Sequence, residues 1–162
     1  MIYLKIDSIQ GNCTDAGYTG QIMVDSFQHG ISLSMTRHGK NSDRTAGGPS
    51  FSEMSFSKVM DSSSPLLYAA CAGARPLKTV VVSITRDEND KPMSTVVYNL
   101  GEAMISNIST SGSTGSIPHE TFSINFTTIT SQVTQQNTDS TKKGVSPFGW
   151  DLKKDVPLAP PA

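Results

Sequence analysis

Hydrophobic and polar positions alternate from the first residues onward. Ile2, Leu4 and Ile6 fall on one side and Tyr3, Lys5 and Asp7 on the other, the period of two that marks a half-buried strand. After a turn-rich stretch from Gln10 to Gly17, the positions of Ile22, Val24, Phe27, Ile31 and Leu33 predict one long strand, kinked or curved at Gly30. A third strand is predicted over 51–59, although the alternation slips within it. A helix then follows: Ser62, Ser63 and Ser64 offer N-caps, Pro65 suits the first helical position and Gly73 a left-handed C-terminal cap. Between them Leu66, Leu67, Ala70 and Cys71 recur at helical spacing. Beyond Pro76, segments 77–85 and 93–100 predict a hairpin turning at Asn89-Asp90-Lys91-Pro92, and 103–110 predicts a further strand. A flexible connection over 111–116 leads to a last long strand, 121–133, with Phe122, Ile124 and Phe126 in alternation. The remainder, 134–162, is polar, Pro-rich and weakly structured apart from 147–152, with 152–162 expected as a flexible tail. The sum is a single domain over 1–162, mainly β, a closed or nearly closed β-barrel or sandwich with one short α-helix.

The stretch 36–49 breaks this pattern. It has no apolar periodicity, three glycines and a proline, and reads as a long exposed loop. Loops longer than about 12 residues in compact domains are functional or disordered more often than not. Arg37, His38, Lys40 and Arg44 face a single acid, Asp43, so the loop is either a solvated segment or a contact arm.

Composition narrows the function. Thirteen Lys and Arg against fourteen Asp and Glu leave a formal charge of −1 over 162 residues. Nucleic acid is not an expected partner, because neutralising phosphates needs a basic surface. Disorder is disfavoured, because it combines low hydrophobicity with high net charge. No apolar run approaches the roughly 18 residues of a membrane span, and the first residues lack the pattern of a secretory signal. Cys13 and Cys71 resemble reduced thiols outside any CxxC pair, and His29, His38 and His119 are not spaced as ligand pairs, so no metal or other cofactor is expected. No GxSxG, GxxxxGK or HExxH motif occurs, and the Gly112–Gly115 segment runs into Ile117 and Pro118 rather than a helix, so no enzyme is expected. His29 is expected to be packed or lumen-facing within a strand, His119 to sit hydrogen-bonded at a strand start, and Glu102 and Glu120 to be solvated. Phe148 and Trp150 are expected to anchor the C-terminal segment. Trp150 with the aromatic strands could instead line the pocket of a monomeric ligand- or glycan-binding β-barrel.

Four ordered segments carry a resemblance that covers nearly the whole chain. They are IYLKIDSIQG followed by TDAGYTGQI, FSEMSFSKVMD running into SSPLLYAACAGA, ISNISTSGS leading to ETFSINFTTI, and the terminal FGWD. Together they resemble the Hcp family, the haemolysin-coregulated tube protein of the bacterial type VI secretion system. That family commonly has a Trp near Phe27 or His29 and a glycine-richer loop than 36–49. The resemblance implies a two-sheet β-barrel or sandwich with one short α-helix packed at the side, six copies of which form a homohexameric ring, stacked into a tube that a contractile sheath expels together with a spike protein. It implies effectors carried and chaperoned in the lumen, and a protein that is cytoplasmic before assembly and then secreted without a signal peptide. It also implies that the loop with Arg37, His38, Lys40, Asp43 and Arg44 touches the adjacent ring and that Gln28 faces the lumen. A near-neutral chain suits such a ring, in which like charges would repel at every repeated contact.

Overall fold

The computed structural model describes residues 1–37, 44–88, 91–136 and 142–159. His38, Lys40 and Asp43, and Asn89 and Asp90 of the expected turn, lie outside the described residues. In chain order the elements begin with β1 (Ile2–Ile6), β2 (Ile22–Val24), β3 (Ser26–Gln28), β4 (Ile31–Arg37), β5 (Arg44–Phe51), β6 (Met54–Val59) and α1 (Ser64–Ala72). They continue with β7 (Val80–Glu88), β8 (Lys91–Gly101), β9 (Met104–Ser111), β10 (His119–Asn125), β11 (Thr128–Gln136), β12 (Lys142–Asp151) and β13 (Val156–Pro157). Seven strands form one antiparallel sheet in the order β13-β12-β11-β8-β7-β1-β2, and four form a second, β3-β6-β10-β9. The fold is mainly β and sandwich-like, with a single short helix among the described residues.

The two sheets share one core. Leu4, Ile6, Val80, Val82, Leu100 and Ile129 come from the larger sheet, and Met54, Phe56, Ile105, Phe122 and Ile124 from the smaller. Phe56 and Phe122, paired across β6 and β10, stack with ring centroids 5.2 Å apart. Leu67 and Ala70 of α1 close the side beside β9.

Two of the long strands expected from alternation are divided where the chain turns from one sheet to the other. The stretch through Leu33 becomes β2, β3 and β4, each in a different sheet. At Asp25 the backbone N–H donates to the Ser57 carbonyl oxygen at 2.8 Å, across to the second sheet. Likewise 121–133 divides at Phe126-Thr127 into β10 and β11. At each corner the inward phase slips by a single residue, from Val24 to Phe27 and from Phe126 to Ile129, a break too small to mark a strand end in the sequence.

Two stretches read as irregular are strands. β4 and β5 form a hairpin from Ile31↔Phe51 to Arg37↔Arg44, which is a two-stranded sheet of its own. Residues 31–35 and 46–48 are exposed, so no buried face imposes alternation there. β12 pairs with β11 from Asp151 to Lys142. It tolerates Pro147 because β13 covers only Trp150 and Asp151 on its other side, leaving Pro147 on an edge. β13 lies within the stretch 152–162.

Candidate functional site

The outward face of the four-stranded sheet is built by strict alternation. Phe27, Phe56, Phe122 and Ile108 are cross-strand partners pointing inward. The neighbouring rows point out: Ser26, Ser57, Thr121 and Ser109 form one, and Gln28, Ser55, Ser123 and Asn107 the next. These eight side chains carry no charge. Their hydroxyls are tied sideways, Ser55 Oγ to Ser123 Oγ at 2.9 Å and Ser109 Oγ to Thr121 Oγ1 at 2.8 Å. A surface of short, mutually bonded hydroxyls is wettable and has little charge or apolar area with which to hold a passing protein. The sheet ends on β3 and β9, each with a strand partner on one side only among the described residues.

The arm, β4–β5, exposes Ile31, Leu33 and Met35 in alternation along β4, each about half accessible. Arg37 and Arg44 are paired at the outer end of its ladder. On the C-terminal side, Trp150 stacks on Phe51 with centroids 6.3 Å apart, and its Nε1 donates to Asp155 Oδ1 at 3.2 Å. The indole is thus occupied by packing between the arm root and the β12–β13 turn. Phe148, two residues earlier on β12, is exposed.

Behind the uncharged face lies a buried ionic cluster. Lys58 on β6 and Glu120 on β10 are cross-strand partners, both fully enclosed, with Nζ to Oε1 at 2.8 Å. Lys58 Nζ also donates to Asp61 Oδ1 at 2.8 Å, to the Val59 carbonyl at 2.9 Å and to Ser64 Oγ at 3.4 Å. Ser64 Oγ, in the first turn of α1, donates to Glu120 Oε1 at 2.7 Å. Glu120 Oε2 has no hydrogen-bond partner. Burial works against the Asp61 carboxylate, but the hydrogen bonds from Lys58 and Ser63 and the Lys58 charge outweigh it, and its pKa lies below the ordinary value. The expectation that Glu120 is solvated is therefore corrected. The exposed Glu102 does pair with Lys153, whose hydrogen bond holds its pKa down, aided by Thr127.

The histidines lie apart. His29 Nδ1 is 3.1 Å from the Ser52 carbonyl oxygen, and His119 Nδ1 is 3.7 Å from Asp25 Oδ2 on the exposed surface. Cys13 is buried, Cys71 half-buried, and both are free. Among the described residues no three His, Cys, Asp or Glu side chains converge as metal ligands would, and no helix is long and apolar enough to cross a membrane.

Comparison with known proteins places this architecture. Residues 3–133 match the family described as the type VI secretion system effector Hcp. The chain belongs to the Hcp family. Protein hcp1 of Pseudomonas aeruginosa is 26% identical over 106 residues, 64% of this chain and 65% of that relative, so the chain spans just under two thirds of its length. Among solved structures, a type six secretion system protein superposes with a TM-score of 0.90 at 24% identity, covering 97% of this chain and 98% of the other. Hcp1 from Salmonella typhimurium does so at 0.79 and 23%, covering 97% of each. The chain is thus a type VI secretion protein, in a family of secreted structural components rather than known enzymes.

Within this Hcp fold, Gln28 joins the uncharged face, Arg37 and Arg44 mark the end of the arm, and Trp150 sits at its root; the structure does not bring them together in one pocket. The buried Lys58–Glu120 cluster is what residue-by-residue reading missed. A signal was present: Lys58 continues the inward phase of Met54 and Phe56, and Glu120 that of Phe122 and Ile124.

Proposed function

We propose that this chain is the tube subunit of a type VI secretion system, with six copies closing head to tail into a ring whose lumen is lined by the uncharged face. Rings stack through the arm into a tube that the contractile sheath expels behind a spike protein, and effectors travel inside. The observation that carries this reading is the four-stranded sheet with two open edges and two adjoining rows of uncharged polar side chains. A head-to-tail contact joins two different surfaces of each subunit, as β3 and β9 are different, and closes when its rotation divides a full turn. Six four-stranded sheets line a wider channel than the 16–18 strands that enclose the aqueous channel of a porin. Gln28, at the open edge and on this face, is assigned to the lumen. Arg37, His38, Lys40, Asp43 and Arg44 are assigned to ring stacking, and Phe148 and Trp150 to anchoring the C-terminal segment. Because Trp150 is already packed on Phe51 and bonded to Asp155, nothing favours a monomeric glycan-binding barrel.

Light scattering after size exclusion tests this directly. Six copies of the 17.3 kDa chain give a particle of about 104 kDa. Replacing Arg37, Lys40 and Arg44 together by Glu leaves that particle intact and weakens its end-to-end stacking. A monomer at every concentration would overturn the reading, and loss of the ring in the charge-reversed variant would move the arm to the lateral contact.

A further inference from the structure

The arm has no ladder to either larger sheet, and an isolated two-stranded hairpin is marginal in water. Its orientation therefore depends on its root, where the chain closes around Ser52. The Ser52 N–H donates to the Gly30 carbonyl at 2.9 Å, and the Gly30 N–H donates to Ser52 Oγ at 2.8 Å. The Ser52 carbonyl oxygen only accepts, so His29 Nδ1, 3.1 Å away, carries the ring proton and donates it. Nε2 is left as the unprotonated nitrogen, enclosed and without a hydrogen-bond partner. The ring stacks on Phe51 at 6.3 Å between centroids and meets Phe126 edge-on at 5.6 Å, while Phe51 stacks in turn on Trp150. A second proton has only Nε2 to bind, and it would place a charge among aromatic rings with no acceptor in reach.

We propose that His29 and Ser52 form an acid-sensitive clasp at the root of the arm: neutral His29 holds the two strands together against Phe51, and protonation at Nε2 opens the clasp and frees the arm to reorient. This is a property of the single chain and does not rest on ring formation.

The charges on the elements around the root are engaged elsewhere. On the preceding segment Asp25 faces His119. Beside Ser52, Glu53 accepts from Ser106 Oγ at 2.6 Å and Asn125 Nδ2 at 3.1 Å. On the β12–β13 turn, Asp155 accepts from Trp150, Asp151 from the Lys153 and Lys154 N–H groups, and Lys153 pairs with Glu102. None of them acts on His29, whose pKa is lowered by burial against a smaller opposing effect of the Ser52 bond. The open state therefore binds a proton before the clasped state does. The clasp is intact above the ordinary imidazole value of 6.5 and weakens as pH falls below it, until the lowered value is passed.

The test is hydrogen exchange of the arm amides, corrected for the intrinsic pH dependence of exchange, with Trp150 fluorescence followed in parallel from about pH 7.5 to about pH 5. Opening of the arm rises by up to about tenfold per pH unit within that window, since one proton is linked, and Trp150 emission changes with it. His29→Phe removes the pH dependence, whereas His119→Gln keeps it. His29→Gln retains a donor for Ser52 and does not titrate, so it stays flat and decides the matter should the Phe variant fail to fold. A wild-type arm whose protection does not change with pH, or a Gln variant that still responds, would overturn the proposal.

Discussion

Lys58 and Glu120 meet in the core because the pleat leaves them no other side: each continues the inward phase of its strand, next to Phe56 and Phe122. Taking two charges out of water is costly, and the return depends on every proton and lone pair finding a partner. Lys58 donates to Val59, Asp61 and Ser64 and pairs with Glu120, whereas Glu120 keeps one oxygen unpartnered. The pair therefore specifies an arrangement, β6 against β10 with the start of α1 pinned by Ser64, more than it adds stability. Lys58→Met alone strands a buried carboxylate and is expected to cost about 3–5 kcal/mol, while Lys58→Met with Glu120→Leu recovers most of that loss. Denaturant unfolding of the two single variants and the double variant measures both numbers and the coupling between them. At this scale the sequence was legible in phase and misleading in chemistry. Alternation put both residues inside, but their charge alone reads as solvent-facing.

The elements show the same division between what local pattern dictates and what partners decide. Helix α1 begins at Ser64, so Pro65 lies in its first turn one place beyond the first helical position that the sequence predicts. Its cap differs: Ser63 makes no side-chain cap, and Asp61 Oδ1 instead accepts the Ser63 N–H at 2.9 Å. At the other end Gly73 has φ of −87°, and the left-handed residue is Ala74, with φ of 46°. Ala74 N–H bonds the Cys71 carbonyl and Arg75 N–H the Ala70 carbonyl, the paired closure of a Schellman motif with Ala74 at the left-handed position. The glycine thus stands one residue too early, and an L side chain bears a left-handed cost of about 1–2 kcal/mol. Ala74→Gly is expected to raise stability by about 1 kcal/mol, less the added freedom of the unfolded chain, as a shift in the thermal midpoint shows. Strands with a buried face, such as β1 and β10, were readable from alternation, whereas β6 was read only within 51–59, where the alternation slips as the chain leaves β5. Strand β5 and most of the edge strand β12 were not readable, because β5 includes Gly47, Gly48 and Pro49 and β12 includes Gly144, Pro147 and Gly149, and neither carries a run of alternating apolar residues.

For the whole molecule, the formal charge of −1 acquires a location. The two rows on the small sheet carry no charge, the Lys58 cluster is hidden behind them, and Arg37 and Arg44 stand at the far end of the arm. The proposed ring would repeat every surface six times, and two rows without charge avoid like-charge repulsion where copies face one another. The order of four sequence segments was enough to place the family, yet which residues share the uncharged rows was not contained in any of them; that follows from the register of β3, β6, β10 and β9. The central claim is that this face lines the lumen, and locating Gln28 in the assembled particle tests it most directly. With Gln28→Cys in a Cys71→Ala background, labelled with a small gold cluster, electron micrographs should show a six-fold annulus with the label inside its hole. Label on the outer rim would contradict the orientation, and fields of single small particles without annuli would contradict the ring itself.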